Sequence, residues 1–379
     1  MTDPQRIPAQ YMSMQGEFPP ASSGVTAGSW RLNMASWALI QPERGRFTWS
    51  ELDAWVRDTP ARGGTEDLLL MIGLTPAWAA GVAPGPGGFS TEPPRDMSDW
   101  DAFVEAIAQR YRGKVAFYQV WNEASLTTFW TGTPDQMAEL TARAYRIIHR
   151  VDPAAKVVSA SAALRTQGSY GAFVPAYLQG LRTRGWPVDV FSAHFYPPST
   201  GGPTTSAGYV RQFQQDLRAA GAPARPLWNT EINYGLAGPG PAYPYVPLSA
   251  ATQAAYLAQT YLDGLRLGVE RVYWYAQLPP RGFLGVNLWP GERSVGAWGT
   301  LQRWLVGSVW RGCVTKRTVH RCKTWTGSAG ATILWTPGSA KKIKVSRGIH
   351  RVCDVLGRCR SVQPGTWISV GSLPVRMTR

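Results

Sequence analysis

The sequence lacks any apolar run near the roughly 18 residues that a membrane-spanning helix needs. The segment 1–20 also lacks the charged n-region and the apolar h-region of a secretory signal. Either the protein is not exported, or the sequence begins after signal removal. Hydrophobic residues make up 44% and charged residues 17% of the 379 residues, which is typical of a globular protein and not of a disordered one.

Cysteine is scarce, and its four residues all lie between positions 313 and 359 at spacings that match no CxxC metal or redox pattern. The simplest pairing joins Cys313 to Cys322 and Cys353 to Cys359, and free buried thiols are the alternative. Disulfides would indicate an oxidising compartment, and hence a secreted or cell-envelope-associated protein. Because no HExxH motif or Cys/His cluster occurs, we expect neither a metal nor another cofactor.

Acidic residues are almost absent from the C-terminal part of the chain. Residues 306–379 contain 14 Lys and Arg but a single acid, Asp354, and so carry +13 of the total charge of +15. This charge fits a solvated surface or a nucleic-acid binder. However, no nucleic-acid-binding motif occurs, and Trp325, Trp335 and Trp367 are too sparse for a stacking platform. We therefore expect no specific nucleic acid, and hypothesise that this part holds the protein against an anionic cell-envelope polymer.

Up to residue 305, short apolar runs alternate with segments of helical periodicity. The runs that favour strands are 11–18, 29–39, 68–74, 115–121, 156–162, 188–196, 226–232 and 271–278. The helical segments are 47–58, 97–113, 134–151, 170–185, 206–221 and 249–268. Pro134 at a first helical position and Gly268 just past a helix end support two boundaries. Strands that are apolar on both faces and separated by helices indicate a parallel sheet, so eight of them predict a closed (β/α)₈ TIM barrel over residues 1–305.

The pattern changes after a helix-like segment at 296–307. Short alternating stretches separated by Gly, Pro and Ser follow, among them CVTKRTV, ATILWTP and KKIKVSR. They predict a small antiparallel β-sandwich over residues 306–379. Because no low-complexity linker or internal repeat occurs, we expect the two domains to pack directly together.

Polar residues stand at the ends of three predicted barrel strands, where functional groups of such barrels lie. The fourth strand ends in Asn122 and Glu123, the sixth carries His194 and Tyr196, and the seventh carries Glu231. Two carboxylates on opposite sides of a barrel, with His194 and Tyr196 on one strand face between them, are the set needed to cleave an acetal. One carboxyl would donate a proton to the leaving oxygen, while the other would stay ionised beside the oxocarbenium-like carbon.

The motifs VWNEAS and LWNTEINYG, on the fourth and seventh strands, resemble the acid/base and nucleophile motifs of the retaining glycoside hydrolase clan built on (β/α)₈ barrels. Within it, the chain is most similar to the family of β-xylosidases and α-L-iduronidases and to related bacterial exopolysaccharide endoglycosidases. RLNMASWALIQPERGRFTWSELD, TPAWAA, SAHFYPP and the closing β-sandwich also have counterparts there, so the resemblance covers nearly the whole chain. It implies that Glu123 is the acid/base and Glu231 the nucleophile in double-displacement hydrolysis of a poly- or oligosaccharide.

The resemblance also implies the surroundings of these carboxylates. Asn122 would bond the sugar 2-hydroxyl, while Arg31, His194 and Tyr196 would surround the nucleophile. Trp274, on the eighth strand, would form the floor under the reacting sugar. Because sugars present flat CH faces that aromatic rings cover, we expect a few tryptophans to line the cleft. The candidates among the 18 tryptophans are Trp37, Trp78, Trp130 and Trp274.

Four of the candidate residues also have a structural alternative. Glu123 could be a helix N-terminal charge, Glu231 a surface acid and His194 a satisfied core histidine, and Arg31 could pair with a barrel acid. At the level of function, the alternatives are a carbohydrate-binding barrel without turnover and a transglycosylase that uses the same residues. The presence of both glutamates argues against the former, since a pseudoenzyme usually loses at least one.

Overall fold

The computed structural model describes residues 6–16, 25–58, 67–83, 85, 88–276 and 280–379. Its strands up to residue 274 are β1 Met12–Gln15, β2 Trp30–Leu32, β3 Leu68–Met71, β4 Thr75–Pro76, β5 Phe89–Ser90, β6 Phe117–Gln119, β7 Lys156–Val158, β8 Phe191–His194, β9 Leu227–Ile232 and β10 Arg271–Trp274. Eight of them form a parallel sheet in the order β7-β6-β3-β2-β1-β10-β9-β8, and β4 pairs with β5 separately. A parallel bridge between Val158 and Val190 joins the two ends of the large sheet, so that it closes as a barrel.

Helices alternate with the barrel strands. They are α1 Trp37–Ile40, α2 Ser50–Asp58, α3 Ala77–Ala80, α4 Met97–Arg110, α5 Pro134–Val151, α6 Gln167–Thr183, α7 Pro203–Ala219, α8 Ala250–Arg266 and α9 Arg293–Leu305. As predicted, α5 begins at Pro134, behind a capping box of Thr133 and Gln136, and Gly268 follows the end of α8 with a φ of 74°. None of the helices in the described ranges is long and apolar enough to span a membrane.

The predicted (β/α)₈ barrel is confirmed, but its strands are shorter than the apolar runs. The run 29–39 is a strand only over Trp30–Leu32, while Asn33–Ala35 form a 3₁₀ turn and Trp37–Ile40 form α1. A short apolar run cannot distinguish a strand from a buried helical turn, which is why this prediction extended too far. The predicted positions 17–18 and 277–278 lie outside the described residues.

The C-terminal part is the expected antiparallel β-sandwich. Its strands are β11 Val309–Lys316, β12 Val319–Thr326, β13 Ala329–Trp335, β14 Lys341–Lys344, β15 Arg351–Asp354, β16 Cys359–Ser361, β17 Trp367–Val370 and β18 Val375–Thr378. Six strands form a sheet in the order β11-β12-β13-β18-β15-β16, and β14 and β17 form a two-stranded ribbon. One face of the sheet joins the barrel core through Cys322 and Trp335, while the other packs on the ribbon. The domain boundary at residues 305 and 306 stays a prediction.

Both predicted disulfides are present, and all four cysteines are paired. Cys313 and Cys322 are register partners on β11 and β12, and Cys353 and Cys359 are register partners on β15 and β16. Each disulfide therefore joins two adjacent antiparallel strands of the sandwich. This finding contradicts the alternative of free buried thiols.

We expect the double variant Cys353→Ser, Cys359→Ser to lower the free energy of unfolding of the sandwich by about 2 kcal/mol, because the bridge closes a short loop in the unfolded chain. This bridge spans a sequence separation of 6 and lies near the surface, so the serines leave no buried cavity. Urea unfolding of the variant and the oxidised wild type measures the difference. Equal unfolding midpoints would contradict the expectation.

Candidate active site

A pocket of about 390 Å³ lies where the barrel strands end. Glu123, which follows β6, and Glu231, within β9, both line this pocket. A carboxylate oxygen of Glu123 lies within 4.8 Å of a carboxylate oxygen of Glu231. The two glutamates that the sequence singles out therefore meet across one pocket.

Glu231 is buried and bonded through both carboxylate oxygens. Arg31 donates to Oε1 in an ion pair, and the hydroxyl of Tyr196 donates to Oε2 over 2.9 Å. The sequence alternative of a surface acid is therefore wrong for Glu231. A cation and a hydroxyl that both donate to the carboxylate favour its ionised form.

Arg31 lies inside the barrel on β2 and is fully buried. Its Nε donates to Gln119 over 2.5 Å, its Nη1 donates to Gln15 over 2.9 Å and its Nη2 donates to Asn122 Oδ1 over 2.8 Å. These acceptors fix the guanidinium beneath Glu231. The amide oxygen of Asn122 is thereby occupied, so the side of Asn122 left to face a ligand in the pocket is its Nδ2 donor.

Glu123 has an unusual backbone. Its φ is 41°, in the left-handed region, and its N–H donates to Ser161 Oγ over 2.9 Å. Such a conformation costs on the order of 1–3 kcal/mol for a residue other than glycine and is typical of functional sites. No helix begins at Glu123, since the next one is α5 at Pro134, so the alternative of a helix N-terminal charge is wrong. Burial raises the pKa of Glu123 to about 7, while the charges of Arg31 and Arg165 lower it.

His194 ends β8 and is fully buried between the carboxylates. Its Nδ1 lies 2.9 Å from Glu123 Oε1 and 3.5 Å from Glu231 Oε2. Burial lowers the pKa of His194 to about 3; Glu231 opposes this shift and Arg31 adds to it. The imidazole is therefore neutral near pH 7, and its Nδ1–H can donate to an ionised Glu123 without adding a positive charge.

Glu123, His194 and Glu231 also form a set that matches a metal site in its donor atoms. One oxygen or nitrogen of each lies within 4.8 Å of the others. Glu231, however, already bonds the guanidinium of Arg31, and that positive charge opposes a second cation beside it. The prediction that the protein needs no metal stays a prediction.

Arg165 is a pocket residue that the sequence analysis missed. It follows β7, is 5% exposed and lines the pocket. Its Nη2 donates to Ser199 Oγ over 2.8 Å and to the carbonyl of Leu236 over 2.6 Å, and its guanidinium lies 4.3 Å from the ring centre of Tyr243. Among the described residues it forms no ion pair with a carboxylate. Its charge acts on Glu123, whose pKa it lowers.

The tryptophans predicted to contact a sugar lie elsewhere. Trp274 is fully buried and stacks on Tyr261 of α8, whereas its neighbour Tyr275 lines the pocket. Trp274 is the last residue of β10 and packs outward against α8, and Tyr275 follows the strand end. The prediction for Trp274 is therefore wrong, and the aromatic residue that lines the pocket here is Tyr275, directly after the eighth barrel strand.

Three further tryptophans belong to the core. Trp37 is fully buried and stacks on Phe103, and Trp78 packs edge-on against Trp37 and donates its Nε1–H to the carbonyl of Gln41. Trp130 is buried against Trp121. None of the three lines the pocket, so the predicted cleft contacts of Trp37 and Trp78 are wrong, and Trp130 is one of the core tryptophans.

No protein-family profile matches the chain, and no curated protein matches it by sequence. Solved structures do match. A family 39 glycoside hydrolase from the gut symbiont Bacteroides cellulosilyticus superposes with a TM-score of 0.71 at 17% identity, over 98% of this chain and 81% of that one. A GH39 β-xylosidase from Caulobacter crescentus superposes with a TM-score of 0.70 at 16% identity, over 100% of this chain and 98% of that one. A glucosidase from Croceicoccus marinus superposes with a TM-score of 0.71 at 15% identity, over 100% of this chain and 97% of that one. These similarities show the fold, a TIM barrel followed by a β-sandwich.

Proposed function

We propose that this protein is a retaining glycoside hydrolase, with Glu123 as acid/base and Glu231 as nucleophile. The observation that carries the proposal is the approach of their carboxylate oxygens to within 4.8 Å. Retaining enzymes place the two carboxyl groups about 5–5.5 Å apart, whereas inverting enzymes leave about 6.5–9.5 Å for a water molecule. The glycoside hydrolases among the structures of the same fold add support.

The different surroundings of the two carboxylates match their proposed roles in the first step. Glu231, ionised beside Arg31 and oriented by Tyr196, would attack the anomeric carbon. Glu123, with its pKa raised to about 7 by burial, would keep its proton near neutral pH and donate it to the leaving oxygen. A covalent glycosyl–Glu231 ester and the freed alcohol result.

In the second step Glu123 would act as a base. Its carboxylate would accept a proton from water, whose oxygen attacks the anomeric carbon and releases Glu231. The neutral His194, at 2.9 Å, would donate a hydrogen bond to the ionised Glu123 and hold it in place. The donor side of Asn122 would bond the 2-hydroxyl, and Tyr275 would support the sugar ring.

A panel of aryl glycosides and polysaccharides tests the proposal. Release of the aryl group or of reducing ends by the wild type, and its loss in Glu231→Gln, would support the hydrolase. Binding of a sugar without any release would instead favour the carbohydrate-binding barrel. Product sizing at high acceptor concentration separates hydrolysis from transglycosylation.

We expect kcat/KM to fall on the alkaline side with an apparent pKa near 7, because Glu123 must carry a proton to act as acid. Replacing Arg165 by Gln removes a positive charge that lowers the pKa of Glu123, so the alkaline limb should move to higher pH. Arg165→Lys keeps the charge and is the control. The pH profiles of the three proteins measure the shift, and an alkaline limb that does not move in Arg165→Gln would contradict this role.

We further propose that the protein is secreted or cell-envelope associated and bound to an anionic envelope polymer. The two disulfides support an oxidising compartment. The +13 charge of residues 306–379 supports attraction to a polyanion. Such attraction weakens as salt rises, and retention on anionic polymer that did not weaken would contradict this proposal.

A further inference from the structure

The sandwich displays most of the exposed large hydrophobic side chains that occur in the described part of the chain. These side chains are Leu39, Val314, Trp325 and Trp367. Only Leu39 belongs to the barrel. Single exposed hydrophobic side chains are common on protein surfaces, so the two exposed tryptophans become informative only together with the charges beside them.

The first of the two exposed tryptophans lies on β12. Trp325 is 40% exposed, and Lys323, two residues earlier, lies on the same face of the strand. Trp325 pairs with Gly330 of β13, and a Cβ at Gly330 would lie 3.3 Å from the indole ring. The ring therefore packs against the bare backbone of the neighbouring strand and stays on the surface of the sheet.

The second exposed tryptophan lies on the ribbon. Trp367 is 60% exposed and directly opposite Lys344 of β14 in the register. Lys342, two residues before Lys344, lies on the same face. Each exposed indole thus has an exposed lysine beside it on a strand of the sandwich.

Both positions point away from the barrel. Cys322 and Thr324, which flank Lys323, are buried on the opposite face of β12, and Cys322 belongs to the core shared with the barrel. The ribbon buries Ile343 and Ile368 against the outer face of the six-stranded sheet, so Lys344 and Trp367 lie on its far side. We call Lys323, Trp325, Lys342, Lys344 and Trp367 the outer surface of the sandwich.

The cations of this surface have no acidic partners nearby. The single acid of residues 306–379, Asp354, pairs with Arg358. No ion pair among the described residues includes Lys323, Lys342 or Lys344. The positive charge is therefore available to an external anion.

We infer that the outer surface binds an acidic polysaccharide. Indole rings cover the CH faces of sugar rings, and the adjacent ammonium groups pair with carboxylates along the chain. A polyphosphate would use the lysines but not the tryptophans, and a lipid surface would need more than scattered aromatic residues. The inference extends the proposed function, because a polymer held here would lie close to an enzyme that cleaves it.

Affinity electrophoresis tests the inference with polygalacturonate and with its fully methyl-esterified form, which has the same rings without the charge. All proteins in this test carry Glu231→Gln, which removes the proposed nucleophile, and only binding is measured. A failure of this inference can therefore be told apart from a failure of the hydrolase proposal, which is tested by turnover. We expect binding to polygalacturonate, much weaker binding to the ester, and a loss of about tenfold in Trp367→Ala and in Trp325→Ala. Lys342→Gln, Lys344→Gln should weaken binding and reduce its salt dependence.

Two matched controls change the barrel surface instead. Leu39→Ala removes the exposed barrel hydrophobic side chain, and Arg112→Gln, Lys114→Gln removes two exposed barrel cations. Both should bind polygalacturonate like the parent. If both tryptophan variants bound polygalacturonate as tightly as the parent, the inference would be overturned. It would also be overturned if the parent bound the methyl ester as tightly as polygalacturonate, or bound polyphosphate or phosphatidylglycerol vesicles more tightly. A tryptophan variant that changes only the oligomeric mass would overturn it too, and would identify a contact between copies.

Discussion

Glu231→Ala is expected to lose turnover by about 10⁴-fold or more, which corresponds to about 5.5 kcal/mol of transition-state stabilisation. The reason is that the described residues lining the pocket include no other carboxylate except Glu123, which we propose to be the acid/base. The measurement is kcat/KM on the best aryl glycoside of the panel. Activity within tenfold of the wild type would exclude Glu231 as the nucleophile.

The variant must fold for this result to carry meaning. Removing Glu231 leaves the buried Arg31 without its carboxylate, so Glu231→Gln, which keeps the volume and an acceptor, is the companion variant. Glu51→Gln changes an exposed glutamate on α2 and serves as the matched control. We expect full activity in Glu51→Gln and the same large loss in both variants of Glu231.

Glu123→Ala is expected to show a loss that depends on the leaving group. General acid catalysis contributes roughly 10²–10⁴-fold, so hydrolysis of an alkyl or sugar leaving group should fall by that factor. A dinitrophenyl glycoside needs no proton for bond cleavage, so its first step should be nearly unaffected and the glycosyl-enzyme should accumulate. Pre-steady-state measurements on Glu123→Ala compare the two kinds of substrate, and we expect a burst of released dinitrophenolate but no burst with the poorer leaving group.

Azide gives this prediction a stereochemical readout. It needs no general base, so it should restore turnover of the dinitrophenyl glycoside in Glu123→Ala and form a glycosyl azide of retained configuration. In Glu231→Ala, azide would occupy the place of the nucleophile and give the inverted azide. An equal loss for all leaving groups, or rescue with the stereochemistry exchanged, would contradict the assignment of the two glutamates.

The sequence predicted those parts of the molecule in which local chemistry decides the structure. Pro134 marks the first position of helix α5, and the capping box that closes this helix start joins Thr133 to Gln136, only three residues further along the chain. Glu123 and Glu231 stand out because a carboxylate at the end of a buried strand is costly unless a pocket uses it. The family resemblance implies that Arg31 and Tyr196 surround Glu231, and in the structure both side chains donate to its carboxylate.

The parts that were missed depend on packing across the chain. Trp274, the last residue of β10, and Tyr275 are two successive aromatic residues, so the pattern alone does not tell which ring lines the pocket and which packs on α8. Arg165 has no motif, and it enters the pocket because Ser199 and Leu236, from two later loops, hold its guanidinium. The exposure of Trp325 and Trp367 depends on which face of each strand the rest of the sandwich covers, and contacts between distant parts of the chain decide this.

The most direct test is mass spectrometry of the protein after reaction with an activated 2-deoxy-2-fluoro glycoside of the preferred sugar, which slows release of the covalent intermediate. We predict an added mass of one fluorosugar on the peptide that contains Glu231, in the wild type and in Glu123→Ala but not in Glu231→Gln. A label on a different residue, or turnover by the wild type with inversion of the anomeric centre, would contradict the mechanism.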